Sequence, residues 1–220
     1  LNFVDMGSGF WIRVFNRLRL LRYLNLKTSI TVSGKKICIP VQSGLGLTNL
    51  HLSEPWMTQI LARLKPLFNG YFVDIGVNLG QTLIKAYAVY GDVYYVGFEP
   101  NSTCVNYLQN LITLNNYNNC NILPIGVSSQ PGILKLNFFY DDVSDPCASI
   151  VENFRPDHPI HHSSYIPVFD LESVRPFMPA HRNTILKIDV EGAELDVIKG
   201  IFKWIETYQP ILLLEILPVY

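Results

Sequence analysis

An acid and two glycines stand close together in the stretch Tyr71 to Ala86, which reads YFVDIGVNLGQTLIKA. Asp74 comes at the end of an apolar run, Gly76 and Gly80 follow it, and apolar residues with helical spacing resume after Gln81. Glycine permits positive φ angles and close backbone approach, and a helix that begins here points free N–H groups into the turn. A strand, a glycine turn and a helix in this order are typical of a ligand-binding turn in an α/β sheet.

A second acid, Glu99, follows the next apolar run, in Gly97-Phe98-Glu99-Pro100. Parallel strands end at the same edge of a sheet, and a carboxylate there can accept both hydrogen bonds of a ribose diol. Each acid alone is a weak indication of a site. Because Asp74 and Glu99 end successive predicted strands, the pair predicts nucleoside binding.

Two nucleotide-binding motifs are absent from this turn, and their absence indicates which nucleoside would bind. Asn78 stands where the dinucleotide fingerprint G-x-G-x-x-G has its second glycine, and no lysine follows Gly80 until Lys85, so the P-loop pattern is also absent. Asp74 would repel a pyrophosphate and would suit a cationic ligand with an amino acid end. S-adenosylmethionine has a sulfonium, an α-ammonium, a ribose and an adenine, so the residues favour methyl transfer.

The elements that would position these residues alternate from residue 71 onward. Nearly continuous apolar runs predict strands that are buried on both faces, and helical patterns fall between several of them. We therefore predict an α/β fold, Rossmann-like and doubly wound, with a mostly parallel sheet. The predicted strands are 71–75, 94–98, 121–125, 184–189 and 211–216, and the predicted helices are 81–90, 102–114 and 193–207.

Ahead of this alternation the sequence predicts an N-terminal helix and hairpin extension. An amphipathic helix is expected at 10–24, a short β-hairpin at 30–41 and a second helix at 54–67. We accordingly divide the chain into an extension at 1–67 and an S-adenosylmethionine-binding domain at 68–220.

One region breaks the alternation between the third and fourth strands. Residues 133–139 alternate as an exposed edge strand would, and residues 140–165 then carry acids, prolines, serines and histidines without periodicity. A loop of this length inside a compact domain is usually functional or disordered, so we predict a lid or an acceptor-binding loop. His158, His161 and His162 complete no known metal-ligand spacing, so no metal site is predicted. A general base from the lid, or solvated histidines, are the alternatives.

Four segments resemble the FkbM-type S-adenosylmethionine-dependent methyltransferases: VDIGVNLGQT, GFEPN, LQNLITLNN and, most specifically, LKIDVEGAELDVIKG. The resemblance covers roughly residues 71–216 and implies a class I methyltransferase fold and, commonly, O-methylation of sugars or other hydroxylated small molecules. The sheet of that fold normally continues past a fifth strand, so we expect either that the C-terminus is truncated or that the segments at 133–139 and 166–169 complete the sheet differently. Matched by position, the implied cofactor-binding residues are Asp74, Gly76, Asn78, Gly80, Thr82, Glu99, Asn101, Gly126, Val127 and Asp189.

The resemblance also places two carboxylates where the methyl acceptor would bind. Methyl transfer from a sulfonium is an in-line displacement, and a base that removes the hydroxyl proton of the acceptor assists it. Asp189 is the first candidate for this base or for orienting the acceptor, with contact to the methionine moiety or helix capping as its alternative. Glu191 is the second candidate, and we expect Glu194 to cap a helix or form a salt bridge.

Two other functions stay open from the sequence. A nicotinamide-dependent oxidoreductase fits the fold but not Asn78, and a non-catalytic binding module could use a degenerate methyltransferase fold. Nucleic acid is not an expected partner, because the body of the chain is acidic and lacks an aromatic and basic groove pattern. A small-molecule or saccharide acceptor is expected instead.

The net charge of −1 conceals a basic N-terminal segment, since residues 1–40 hold seven of the 17 lysines and arginines and one acid, Asp5. The helix predicted at 10–24 is expected either to contact an anionic membrane peripherally or to be a solvated basic helix.

The cysteines show no disulfide or metal spacing, and no apolar run is long enough to span a membrane, so we expect a cytoplasmic protein. The sequence specifies neither the acceptor nor the oligomeric state. The four cysteines are at 38, 104, 120 and 147.

Overall fold

The computed structural model of the protein describes residues 4, 5, 15, 17, 20–142, 144–151 and 154–216. The strands are β1 (Val4–Asp5), β2 (Asn25–Val32), β3 (Lys35–Gln42), β4 (Tyr71–Ile75), β5 (Tyr94–Phe98), β6 (Cys120–Leu123), β7 (Gly126–Val127), β8 (Gly132–Phe138), β9 (His162–Phe169), β10 (Ile185–Ile188) and β11 (Ile211–Leu214). The helices are α1 (Pro55–Leu64), α2 (Gln81–Tyr90), α3 (Ser102–Asn115), α4 (Leu171–Val174) and α5 (Glu194–Tyr208), with 3₁₀ turns at Leu21–Tyr23, Thr48–Leu50 and Arg175–Phe177.

A five-stranded parallel sheet forms the centre of the molecule, with the strand order β11-β10-β4-β5-β6. Its register places Asp74 on β4 beside Lys187 on β10 and Gly97 on β5. Helices α2 and α3 pack on one face of this sheet and α5 on the other. The predicted Rossmann-like, doubly wound α/β fold is therefore confirmed, because strands written as continuous apolar runs are covered on both sides.

The N-terminal extension contains a β-hairpin that is longer than predicted. Strands β2 and β3 pair from Asn25 opposite Gln42 to Val32 opposite Lys35. Ser33 and Gly34 both have positive φ angles at the turn, as tight two-residue hairpin turns require. The helix predicted at 10–24 falls mostly outside the described residues, and its described C-terminal part is the 3₁₀ turn at Leu21–Tyr23.

A second, smaller sheet has the order β7-β9-β8 and does not extend the central one. The edge strand predicted at 133–139 is β8, which pairs antiparallel with β9. The predicted loop at 140–165 was too long, because β9 already begins at His162. The polar residues at the start of β9 are exposed and held by pairing with β8, which local sequence does not reveal, whereas Ile166 and Val168 are buried.

Two apolar clusters hold the layers together. Phe72, Leu83 and Tyr107 lie in one cluster with Ile39 from the hairpin and Leu61 from α1. On the opposite face, β4 and β10 pack against α5 through residues that include Val73, Ile188 and Trp204. The hairpin and α1 thus share a core with the parallel sheet. Within the described residues, no helix is both long enough and apolar enough to cross a membrane.

Candidate active site

A cavity of about 710 Å³ opens at the carboxyl ends of β4, β5 and β10. This is the edge of a parallel sheet at which α/β proteins bind their ligands. Nine of the eleven residues predicted to bind cofactor or act in catalysis line it: Gly76, Asn78, Thr82, Glu99, Asn101, Gly126, Val127, Asp189 and Glu191. Asp74 and Gly80 do not.

The two glycines of the turn have different positions. Gly76 has φ +89°, and a Cβ there would lie inside van der Waals contact with the carbonyl oxygen of Asp189. The ends of β4 and β10 can approach this closely only with glycine at that position. Gly80 has φ +79° and precedes α2. A Cβ at this position would lie 2.7 Å from Leu108 Cδ2 on α3, which is too close for van der Waals contact. Gly80 therefore sets the packing of α2 on α3 and not the cavity wall.

Glu99 is held at the end of β5 by two backbone groups. Its Oε2 accepts a hydrogen bond from the N–H of Asn78 at 2.7 Å, and its Oε1 accepts one from the N–H of Asn101 at 2.8 Å. Asn101 also caps α3, since its Oδ1 accepts from Thr103 N. Burial raises the pKa of Glu99 to about 7, against the opposing effect of the two N–H groups. Each carboxylate oxygen keeps a second lone pair, so the group can accept from a diol.

Asp74 points into the sheet and not into the cavity. It is fully buried, accepts a hydrogen bond from the hydroxyl of Tyr95, and has its Oδ1 3.7 Å from Lys187 Nζ. Burial raises the pKa of this carboxyl, although Lys187 and Tyr95 oppose the rise. The direct contact that we predicted between Asp74 and a cationic cofactor is therefore not provided by this geometry, because strand alternation turns the side chain inward.

Lys187 lines the cavity where Asp74 was expected, and its Nζ donates to Asp189 Oδ2 at 2.7 Å. Burial alone would lower the pKa of Lys187, but Asp74 and Asp189 outweigh that effect and raise it. The lysine is thus a cation between two carboxylates. Sequence reasoning missed it, although a lysine inside the apolar strand ILKI indicates a buried charge that needs a partner.

Three acids surround the end of β10. Asp189 and Glu191 follow the strand, and Glu215 follows β11. Glu191 has φ +53°, and its Oε2 lies 3.3 Å from Arg155 Nη2. Burial raises the pKa of Glu191 to about 7, with Arg155 opposing the rise and Asp189 and Glu215 adding to it. Glu194 instead accepts a hydrogen bond from Gly192 N at 2.9 Å, within its own turn.

The connection after β8 lies over the cavity. The buried carboxylate of Asp145 accepts hydrogen bonds from the N–H groups of Phe139, Tyr140 and Cys147, which fold the connection into a tight turn. Several of its residues line the cavity: Asp142, Ser144, Asp145, Pro146, Ala148 and Ile150. Its role as a lid or acceptor-binding loop stays a prediction.

The histidines that raised the question of a metal do not line the cavity. His158 and His161 are exposed, and His162 stacks on Phe138 with the ring centroids 4.2 Å apart. Among the residues that the structure describes, no group of three or more His, Cys, Asp or Glu side chains is arranged to hold a metal ion.

Residues of the N-terminal extension form one wall of the cavity, which the sequence did not predict. Asn49 is fully buried, and its Nδ2 donates to the carbonyl of Leu79 at 2.7 Å and to the hydroxyl of Tyr107 at 3.0 Å. This anchor ties the extension to the glycine turn. Glu54 lies 3.6 Å from the buried Nζ of Lys85 on α2. The wall consists of Leu47, Thr48, His51, Ser53 and Glu54.

A parallel sheet with helices on both faces and a cavity at its carboxyl edge, lined by a glycine turn and an acid on the next strand, defines an α/β protein with a ligand site at the sheet edge. The chain belongs to the FkbM methyltransferase family, because the model of the methyltransferase FkbM domain matches residues 74–219. The walls formed by the N-terminal extension lie outside that match.

Two curated relatives are named as methyltransferases. Methyltransferase 1 of Beauveria bassiana (strain ARSEF 2860) is 25% identical over 150 residues, which cover 60% of this chain and 59% of that protein. Methyltransferase sdnD of Sordaria araneosa is 25% identical over 175 residues, covering 64% of this chain and 68% of that protein. The chain thus spans less than two thirds of the Beauveria protein.

Two solved structures are similar at low identity. Methyltransferase FkbM from Methylobacillus flagellatus KT aligns with a TM-score of 0.46 and 18% identity, over 66% of this chain and 32% of that chain. Precorrin-6y C5,15-methyltransferase from Geobacter metallireducens GS-15 aligns with a TM-score of 0.36 and 12% identity, over 70% and 58%.

Proposed function

We propose that this protein is an S-adenosylmethionine-dependent methyltransferase that methylates a hydroxyl group of a saccharide or a related small metabolite. The observation that carries the proposal is the carboxylate of Glu99, fixed by the N–H groups of Asn78 and Asn101 at the cavity wall. A carboxylate oriented in this way suits the two hydroxyls of a ribose. Family membership supports methyl transfer as the reaction.

The residues around the cavity fit a cationic adenosyl donor. Glu99 would hold the ribose, and Gly126 and Val127, which line the same cavity, would pass along the adenine. Asp189, Glu191 and Glu215 bring negative charge to the end of β10, where the sulfonium and the ammonium of the donor would be favoured. S-adenosylmethionine, when bound, supplies the methyl group on a positively charged sulfur.

The chain's own acids would orient the acceptor and take its proton. One oxygen of Asp189 is engaged by Lys187, so we assign to Asp189 the orientation of the acceptor hydroxyl. We assign proton acceptance to Glu191, because it lines the cavity and burial raises its pKa to about 7. A base with a pKa near the working pH is the most effective proton acceptor.

Calorimetric titration with S-adenosylmethionine tests the proposal. We expect the wild-type protein to bind the donor and the Glu99→Gln variant to bind it about 10- to 100-fold more weakly, since a hydrogen bond to a charged group contributes about 1.5–3 kcal/mol. Glu206→Gln, an exposed change on α5, is the matched control and should leave binding unchanged. A folded wild-type protein that does not bind the donor would contradict the proposal.

Mass spectrometry then tests the reaction itself. Incubation of the protein and donor with hydroxylated saccharides should yield a product heavier by one methylene unit. An NADH fluorescence titration in parallel separates this function from that of an oxidoreductase, since the nicotinamide should not bind.

A further inference from the structure

Three contacts pin one segment of the connection between β8 and β9 onto the turn after β10. Ser149 Oγ donates to the carbonyl of Glu191 at 2.6 Å, and Arg155 Nη2 donates to Glu191 Oε2 at 3.3 Å. The ring of Phe154 covers Gly192 so closely that a Cβ on the glycine would lie 2.5 Å from two ring carbons. We call Ser149, Phe154 and Arg155 the strap.

The strap supports a turn that is unfavourable on its own. Glu191 has φ +53° and Gly192 has φ +97°, and the left-handed conformation is unfavourable for a residue other than glycine. The strap is in turn anchored to the small sheet, since Ser149 and Asn137 exchange backbone hydrogen bonds of 2.9 and 3.0 Å. The orientation of Glu191 is therefore fixed by β8, through the strap, as well as by β10, which precedes Glu191 in the chain.

Arg155 is connected to the site through the Glu191 carboxylate. Glu191 lines the cavity and Arg155 does not. The guanidinium lies 5.5 Å from the centre of the Phe154 ring, and its buried Nε has no hydrogen-bond partner among the described residues. The charged groups that act on the Glu191 carboxylate are the cation of Arg155 and the anions of Asp189 and Glu215.

We propose that Arg155 is a positioning residue, which holds the Glu191 carboxylate at the cavity wall in the ionised form that accepts a proton. This inference rests on the proposed function. In the reaction the acceptor oxygen forms a bond to the methyl carbon, the bond between carbon and sulfur breaks, and its electron pair stays on the sulfur. The hydroxyl proton passes to Glu191 and then to solvent, so charge and atoms balance.

Carbon-13 NMR titration of the Glu191 carboxyl tests the inference without an acceptor. The protein is labelled at glutamate side-chain carboxyls, and Glu191→Gln identifies the signal. We expect Arg155→Gln to raise the titration midpoint of Glu191 by about 1 pH unit, because a cation at this distance lowers a carboxyl pKa by about 1–3 units. Arg155→Lys should restore most of the midpoint. Arg175→Gln, which removes an exposed arginine 3.6 Å from Glu172, should leave it unchanged.

The outcomes separate this inference from the proposed function. An unchanged or lowered midpoint in a folded Arg155→Gln variant overturns the role of Arg155. If the Arg155→Gln variant does not fold, Arg155→Met replaces it, because methionine keeps an unbranched side chain beside Phe154. The same change in the titration midpoint of Glu191 is then expected. Calorimetry with S-adenosylmethionine on the wild-type protein is run alongside. A shifted midpoint with no donor binding would overturn the proposed function and leave Arg155 as part of a structural ion pair.

Discussion

Glu99 holds its carboxylate where burial and hydrogen bonding act in opposite directions, and this predicts how donor binding depends on pH. Burial raises its pKa to about 7, and the ionised form is the one that accepts hydrogen bonds from a diol. As the pH falls from 8 to 6 the carboxylate takes up a proton, so the dissociation constant of S-adenosylmethionine should rise, approaching a tenfold rise per pH unit below 7. Calorimetry at pH 8, 7 and 6 measures this change.

The Glu99→Gln variant identifies the group responsible, because Glu191 also titrates near pH 7. The variant should bind weakly at all three pH values with a smaller dependence. Equal affinity of the wild-type protein at pH 8 and pH 6 would contradict the role given to Glu99.

We expect a large loss of stability when the charge of Lys187 is removed. Lys187→Met leaves Asp74 buried with the Tyr95 hydroxyl as its remaining polar contact, and breaking a buried ion pair from one side costs about 3–5 kcal/mol. The Asp74 carboxyl would then ionise less readily, so its folded-state pKa would rise. A carboxyl whose pKa is higher in the folded than in the unfolded state stabilises the fold at low pH, and this contribution is lost as the pH rises. The variant should therefore have a lower free energy of unfolding at pH 8 than at pH 5. Urea unfolding at both pH values gives the free energies of unfolding.

Two further variants control this experiment. Lys203→Met removes an exposed lysine of α5 and should change the free energy of unfolding little. The double variant Asp74→Asn, Lys187→Met removes both charges and should recover most of the loss. A single variant as stable as the wild type would show that the pair does not hold the ends of β4 and β10.

The segment between β3 and α1 predicts a link between the extension and the glycine turn. Asn49→Ala leaves the buried carbonyl of Leu79 and the hydroxyl of Tyr107 without their hydrogen-bond donor, which costs about 1–3 kcal/mol. Because Leu79 belongs to the turn, we expect donor affinity to fall as well as thermal stability. Asn119→Ala is the matched control, since the Asn119 amide bonds only the exposed carboxylate of Asp92 among the described contacts. Equal losses in both variants would contradict the link.

The elements of the central sheet could be predicted from sequence, whereas the small sheet could be predicted only in part. Strands that are buried on both faces have nearly continuous apolar sequences, so the predicted bounds of β4, β5 and β10 lie within two residues of the observed ends. The first half of β9 reads His162-Ser163-Ser164-Tyr165, which carries no strand pattern. It is a strand because β8 supplies its hydrogen bonds.

The candidate site shows the same division. Glu99 and the glycine turn were predictable, since both follow strand ends in the sequence. Glu54 and Glu215 reach the cavity through packing between distant parts of the chain, so no local spacing marks them. Asp74 was misplaced because its type suggested a ligand contact while its position in the strand turns it inward, toward Tyr95.

The whole molecule has a core that crosses the division predicted at residue 67. Ile39 and Leu61 lie in the same apolar cluster as Leu83 and Tyr107. Removal of residues 1–67 would expose that face of α2 and α3 to water, so we expect the remaining fragment to show no cooperative thermal transition. Circular dichroism on the fragment and on the full chain measures this. A fragment that unfolds cooperatively near the temperature of the full chain would establish 68–220 as an independent domain.

Strand β4 lies between β5, its successor in the chain, and β10, since Phe72 pairs with both Tyr95 and Ile185. A ribosome that adds about 5–20 residues per second takes roughly 5–20 s to synthesise the stretch between Phe72 and Ile185. Throughout that interval the nascent polypeptide presents one unpaired edge of β4 to water or to a chaperone. Slow codons ahead of Ile185 would lengthen this exposure and lower the yield of folded protein.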